Sequence, residues 1–291
     1  MDIQTVGVLS PGDMGHAIGA RLQQHGLRVI TNLSGRSART VALAQEAGIV
    51  AVADDATLVR EADILLSILP PARAYAFAER IASVLRQTGA PLLFVDCNAI
   101  APRTAQAIEQ VITEAGGAFV DACIIGSPPR GADQGPRLYL SGSRAGDVAG
   151  LRAYGLEMRV LGSRSGQASG LKMCYASVTK GFTALLTEAL VAGQAMDLQE
   201  ALLAEFQELP YFASGKRSVI GMPPKAYRWV GEMTEIGRTF SDLGLPPQMP
   251  EGAAAVYHFI EGTILGAETP ELRQHGQTLA EIMAILADAL Q

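Results

Sequence analysis

The chain is short of charge, of cysteine and of paired histidines. Charged residues make up 18% of its 291 positions, and the balance is acidic, with a net charge of −6. A general nucleic-acid binder needs a basic face, so that class is set aside. There are three cysteines, Cys97, Cys123 and Cys174, far apart and without C-x-x-C spacing. That excludes a disulfide framework and points to small buried hydrophobes in a reducing compartment. His16, His25, His258 and His275 form no H-x-x-x-H or H-E-x-x-H pair, so no metal is expected. A membrane span needs about 18 uncharged apolar residues, and the one stretch that approaches this is broken by Lys172, Lys180 and Glu188. The opening MDIQTVGVLS has no long apolar segment, so no signal peptide is expected and the compartment reads as cytoplasmic.

Hydrophobic residues make up 48% of the sequence, an ordinary globular composition with core enough for two domains. Up to about residue 163 short β-branched runs alternate with helical stretches. The strands read at 5–9, 28–32, 62–69, 91–97, 118–125 and 137–142, with helices at 16–24, 39–47, 73–85 and 101–114 between them. Such alternation predicts an α/β domain built on a doubly wound parallel sheet, residues 1–163. A long helix follows over 164–196. Residues 197–291 are helical throughout, with loops expected at GMPPK (221–225) and GLPPQMPEG (244–252).

The first strand leads into Ser10-Pro11-Gly12-Asp13-Met14-Gly15 and then a helix. Ser10, Gly12 and Gly15 stand at the three glycine positions of G-x-G-x-x-G. There the chain must turn tightly, approach a pyrophosphate and pack helix on strand, while the helix-start amides bind phosphate. The same turn also occurs in other α/β folds, such as those that bind S-adenosylmethionine. At the end of the second strand an NAD enzyme places a carboxylate for the ribose hydroxyl. Here stand Asn32, Ser34, Arg36, Ser37 and Arg39, a set suited to a 2′-phosphate, so NADP is favoured over NAD. The alternative is that Arg36 and Arg39 are solvated residues at a helix start.

The stretch Gly166–Met196 runs about thirty residues without proline and is apolar on almost every face, as befits a helix inside a protein. It carries Lys172, whose face is shared at 100° per residue by Tyr175, Ala176, Thr179 and Thr183. A lysine ringed by hydroxyls is a candidate proton donor; a lysine snorkelling from the helix start is the other reading.

Taken together, VGVLSPGDMG, SILPP, VDCNAIAP, FVDACIIGSPPRG and GLKMCYASVTKG, in that order, resemble the β-hydroxyacid dehydrogenase superfamily, which includes 6-phosphogluconate and 3-hydroxyisobutyrate dehydrogenases. The tail KAYRWVGEMTEIGRTFSDLGLPP is similar to the branch whose C-terminal domain was long catalogued as of unknown function. The resemblance implies a Rossmann domain for NAD(P), with Leu69 and Pro70 of SILPP beside the cofactor. It implies an interdomain helix whose Lys172 moves the alcohol's proton, and a helical domain at 197–291 serving substrate and dimerisation. A homodimer and a small, carboxylate-bearing substrate follow, with Asn98, Gly126, Ser127 and Tyr175 as substrate contacts; from the residues themselves Arg228 is a further substrate contact, and Arg130 is either a carboxylate clamp or a solvated loop arginine. Arg228, Trp229 and Glu232 lie within one helical turn, where they either close over a ligand or pack helices. Departures from the family pattern are Ala176 for an asparagine, Asn98 for serine or glycine, and Ile125 for the serine of S-G-G. Two rival readings remain: an imine reductase-like C=N reductase, a class that generally lacks a lysine here, and a non-catalytic NADP-binding sensor.

Overall fold

The structure, a computed structural model, describes residues 1–129 and 135–290. The chain divides into two compact units, Met1–Met173 and Cys174–Gln291.

The first unit holds eight strands: β1 (Thr5–Leu9), β2 (Arg28–Asn32), β3 (Val50–Val52), β4 (Ile64–Ser67), β5 (Leu93–Asp96), β6 (Ala118–Ile125), β7 (Arg137–Ser141) and β8 (Glu157–Gly162). They form one sheet in the order β3-β2-β1-β4-β5-β6-β7-β8. Every neighbouring pair is parallel except β6 and β7. Six helices accompany them: α1 (Asp13–Gln24), α2 (Ala38–Glu46), α3 (Asp55–Glu61), α4 (Pro71–Thr88), α5 (Pro102–Glu114) and α6 (Ala145–Val148). One face of the sheet packs Val6, Val8, Val29 and Leu66 against Ile18 and Leu22 of α1. The other packs Ile30, Leu65, Phe94 and Phe119 against Leu58 of α3, Phe77 and Ile81 of α4, and Ile108 of α5. Burial on both faces is why these strands read as nearly unbroken apolar runs.

The structure departs from the sequence expectation at the periphery. β3 is a three-residue edge strand, half exposed, too short to show a period. β8 lies where the sheet was expected to end, and β7 runs antiparallel to β6. Helix α7 (Gln167–Ala195) is 29 residues long, and the division between the units falls inside it rather than at 163/164, because its first two turns are bonded to the sheet.

The second unit contains the rest of α7 with α8 (Gln199–Gln207), α9 (Phe212–Gly221), α10 (Ala226–Asp242), α11 (Gln248–Glu261) and α12 (Leu279–Asp288). The expected loop at 244–252 is shorter, since α11 begins at Gln248 with Pro250 in its first turn, where no intrahelical N–H is needed. Lys180 of α7 forms a buried ion pair with Glu232 of α10 and lies 5.0 Å from the Trp229 ring centroid. Trp229 meets Tyr257 of α11 edge-on at 5.2 Å, and the Tyr257 hydroxyl donates to the Lys180 carbonyl at 2.5 Å. The Trp229/Glu232 cluster is therefore bound up in joining three helices. No described helix is long and apolar enough to cross a membrane.

At the C-terminal ends of β4 and β5 lies a buried polar knot. Asn98, 2% exposed, donates its side-chain amide to Ser67 Oγ (3.0 Å) and Asp96 (2.8 Å), and its backbone N–H to Asp96 (2.9 Å). Its Oδ1 accepts from Leu69 N at 2.5 Å. Burial pushes the Asp96 carboxyl up to about 7, against the pull of the Asn98 bonds and with a further push from Asp121. A carboxyl whose folded value is raised stabilises the fold fully below its unfolded value near 3.8, and that contribution is lost as pH rises towards 7. Asp96→Asn removes the titration. The stability difference, variant minus wild type, is expected to move in the variant's favour by up to about 1.4 kcal/mol per pH unit between 4 and 7. Urea unfolding across that range checks it, and parallel curves for the two proteins would refute it.

Candidate active site

The turn after β1 is built for close approach. Ser10 donates its N–H to Ile68 O at 3.1 Å and accepts from Gly12 N at 2.8 Å. Ser10 does not adopt positive φ, so serine is tolerated where the motif usually has glycine. A Cβ on Gly15 would come within 2.1 Å of the Ser10 carbonyl oxygen, whereas one on Gly12 would meet nothing within 4 Å. Gly15 thus permits α1 to lie on β1, and Gly12 leaves open space before the helix start. No side chain caps that start, which leaves the first-turn amides facing outward for an anion. Met14 packs on the core beneath. Pro70 precedes Pro71, the first residue of α4, and the Leu69 N–H is held by Asn98.

At the end of β2, Asn32 takes the place of the usual carboxylate and is itself engaged. Its Nδ2 donates to Asp55 at 2.7 Å and its Oδ1 accepts from Ser34 N at 2.9 Å. Ser37 caps α2 by accepting from Thr40 N. Arg39, expected at a 2′-phosphate, instead forms an ion pair with Asp13 in the first turn of α1. That pair neutralises an acid which would otherwise stand where phosphate is expected. Arg36 is half-buried, and burial first, then repulsion by Arg80 and Arg73, lowers its guanidinium from the usual value; Asp55 opposes this. Asp55 is already bonded to Arg80 at 2.9 Å and to Asn32. Arg73 and Arg80 were absent from the sequence reading. Their signal is faint, a seven-residue spacing that puts both on one face of α4.

The lysine helix is fastened to β6. Asp121 is fully buried. Its Oδ2 accepts from the N–H groups of Gly166 (2.9 Å), Ala168 (3.0 Å) and Ser169 (3.1 Å) and from Ser141 Oγ (2.8 Å). Its Oδ1 accepts from Ser169 Oγ at 2.6 Å. One helical turn on, Lys172 Nζ donates to Ile124 O at 2.8 Å. Cys123 and Ile125 pack against Ala168 and Leu171 at the start of the helix. Two of the hydroxyls expected around Lys172 are engaged with their own helix. Thr179 and Thr183 donate to the carbonyls of Tyr175 and Thr179, four residues back along the helix.

The other expected substrate contacts are dispersed. Gly126 has φ +126°, and a Cβ there would lie 3.1 Å from Pro136 Cα; Ser127 beside it is exposed. Asn98, proposed to touch substrate, has its amide bonded within the protein and braces the β4 and β5 loops. Tyr175 and Arg228 belong to the second unit, the tyrosine 46% exposed and the arginine half-buried. Arg130 lies outside the described residues. Cys97 and Cys123 are buried as expected, but Cys174 is exposed.

Comparison with known proteins agrees with this geometry. The NAD binding domain of 6-phosphogluconate dehydrogenase matches residues 5–153, and a domain of unknown function, DUF1932, matches 193–260. An uncharacterised 28.5 kDa protein of Methanothermus fervidus is 28% identical over 238 residues, 81% of this chain and 90% of its own. Among solved structures, conserved protein MTH1747 of unknown function, described as similar to 3-hydroxyacid dehydrogenases, is 30% identical. It covers 88% of this chain and 96% of its own at a TM-score of 0.64. A 3-hydroxyisobutyrate dehydrogenase of Mycobacterium tuberculosis shares the fold at 17% identity, over 99% of each chain, with a TM-score of 0.68. Imine reductases share it as well. The strand order, the Gly12–Gly15 turn and these matches together place the chain in the 6-phosphogluconate dehydrogenase-like family of NAD-binding proteins, with a DUF1932 domain following.

Proposed function

We propose that this protein is an NADP-dependent oxidoreductase of β-hydroxy acids or related alcohol and carbonyl compounds, with Lys172 as general acid and base. The carrying observation is the fastening of Lys172 to Ile124 O at the C-terminal end of β6, the edge where open α/β sheets bind ligands. The open space at Gly12 and the uncapped α1 start fit a nucleotide pyrophosphate. A bound nicotinamide accepts or returns the hydride. Lys172 takes the hydroxyl proton as the alcohol is oxidised and gives it back on reduction. Its carbonyl anchor accepts a hydrogen bond from the neutral amine as well as from the ammonium, so the side chain stays in place through both halves of the cycle. Reduction of C=N would use the same parts. The reading is therefore tested by NADPH oxidation with a panel of β-keto acids, semialdehydes and cyclic imines. Lys172→Met is expected to retain NADPH binding and lose roughly a hundredfold to ten-thousandfold in turnover on the accepted substrate. Near-normal turnover would remove the assignment.

Preference for NADP is supported by Arg36, whose charge is repelled by those of Arg80 and Arg73 and countered by one carboxylate, Asp55, that is already bonded to Arg80 and Asn32. An added dianion satisfies that surplus. NADPH is expected to bind more tightly than NADH, and Arg36→Ala to narrow the gap by roughly tenfold to a hundredfold, the worth of lost charge-assisted bonds. Equal affinities in the wild type, by fluorescence titration, would refute it.

Along the second-unit part of α7, Tyr175, Val178 and Leu185 fall on a heptad-spaced stripe that Met196, just past the helix end, continues, with Val178 70%, Leu185 63% and Met196 60% exposed. Apolar seams of that spacing bury themselves against another helix, which supports a homodimer. Light scattering is expected to give twice the 30.6 kDa of one chain; a stable monomer at micromolar concentration would overturn this.

A further inference from the structure

Arg137 opens β7, directly opposite Ile125 in the antiparallel ladder with β6. Residues facing each other across such a ladder project to the same side of the sheet. Arg137 therefore projects on the face of Cys123, Tyr139 and Asp121, the face that carries the start of α7. Ile124, the residue before Ile125, is the one whose carbonyl holds Lys172. The loop leaving β6 also comes to this point. Gly126 approaches Pro136 so closely that a Cβ would stand 3.1 Å from Pro136 Cα, one residue before Arg137, and Ser127 follows Gly126 in the chain.

The guanidinium itself is left over. Its Nε is buried, and among the described residues it has no hydrogen-bond partner. The carboxylate nearest in the ladder is that of Glu157, opposite Arg137 on β8, but it accepts from Arg159 at 2.9 Å, and Arg159 in turn donates to Tyr139. Arginine stays charged at any pH a protein meets, and a buried donor without an acceptor is costly. A half-buried arginine whose Nε has no partner, on the strand paired with the one whose Ile124 carbonyl holds Lys172, has the chemistry of an anion receptor.

We propose that Arg137 binds the carboxylate of the substrate, with Ser127 at its side, and so selects β-hydroxy and β-keto acids over neutral alcohols and ketones. This rests on the oxidoreductase reading for the identity of the reacting group, though not for the binding itself. It gives the carboxylate contact to Arg137 rather than to Arg130.

The test compares 3-hydroxypropanoate with 3-hydroxypropanamide, which present the same alcohol with and without the charge. Binding is read by calorimetry on the full chain saturated with NADPH, where the alcohol has no hydride acceptor. The wild type is expected to favour the acid by roughly tenfold to a hundredfold, as one charge-assisted pair provides. Arg137→Met is expected to lose that preference while keeping its affinity for the amide, and Arg137→Lys to retain part of it. Because no protein bond is lost, the Tm of Arg137→Met should equal or exceed that of the wild type. A wild type that does not bind the acid in preference to the amide, or an Arg137→Met protein that still does, overturns the proposal. Failure of the oxidoreductase reading shows separately, as no NADPH oxidation with any keto acid, semialdehyde or imine while charge discrimination persists.

Discussion

Much of this molecule depends on one carboxylate. Asp121 lies in the middle of β6, fully buried, and five donors converge on it: three backbone amides from the start of α7 and the hydroxyls of Ser141 and Ser169. A charge so placed is tolerable only because the helix start supplies both unpaired amides and a positive dipole end. The amides in turn have no other partner of equal strength. That mutual need fixes the register of α7 on β6. A slip of one residue would leave the carboxylate bare and swing every following side chain by 100°. Lys172 meets Ile124 O because both elements are fastened together one turn earlier.

The two lysines of α7 show how environment separates roles on one helix. Lys180 is matched by the carboxylate of Glu232, stacked on Trp229, and enclosed. Breaking such a pair leaves a buried charge uncompensated. Lys180 is thereby suited to joining helices. Lys172 is only half-buried, and its carbonyl partner serves either protonation state. A sequence shows two lysines eight residues apart. Which one faces a carboxylate is a property of α10, some fifty residues away.

That distance is the general limit on what was legible. The long, doubly buried strands β1, β2 and β6 announce themselves through apolar runs, and the Gly12–Gly15 turn through its spacing, because those signals are local. β3 leaves no such trace, being three residues on an edge, two of them exposed. The antiparallel turn of β7 depends on how the chain returns from β6, which no window of residues reports. Polar partnerships are hidden for the same reason. Arg39 reads as a phosphate ligand until Asp13, across the first βαβ unit, is seen to hold it. Asn98 reads as a substrate contact until Ser67, Leu69 and Asp96 are seen to use its amide. Threonines 179 and 183 read as a hydroxyl ring but bond their own helix. In each instance the residue type was informative about chemistry and silent about the partner.

The same contrast applies to charge. A net value of −6 describes the whole surface and speaks against nucleic acid, yet it conceals two local surpluses of cation in the first unit. One is Arg36, Arg73 and Arg80 near β2 and α4; the other is Arg137 at the head of β7. In the strand order β2-β1-β4-β5-β6-β7 these stand on opposite sides of the β1/β4 junction, where the connections reverse direction and α/β sheets bind dinucleotides. From β2 to β6 is four strand spacings, about 19 Å at roughly 4.8 Å each, the scale of a dinucleotide stretched across that junction with room for a small acid beyond it. Of these arginines, Arg36 and Arg137 are half-buried, where a guanidinium donor without an acceptor is expensive to keep. One lies beside β2 and the other on β7, beyond β6, and the two proposed anions, a cofactor phosphate at the ribose and the carboxylate of a separate substrate molecule, would each supply the acceptor missing there.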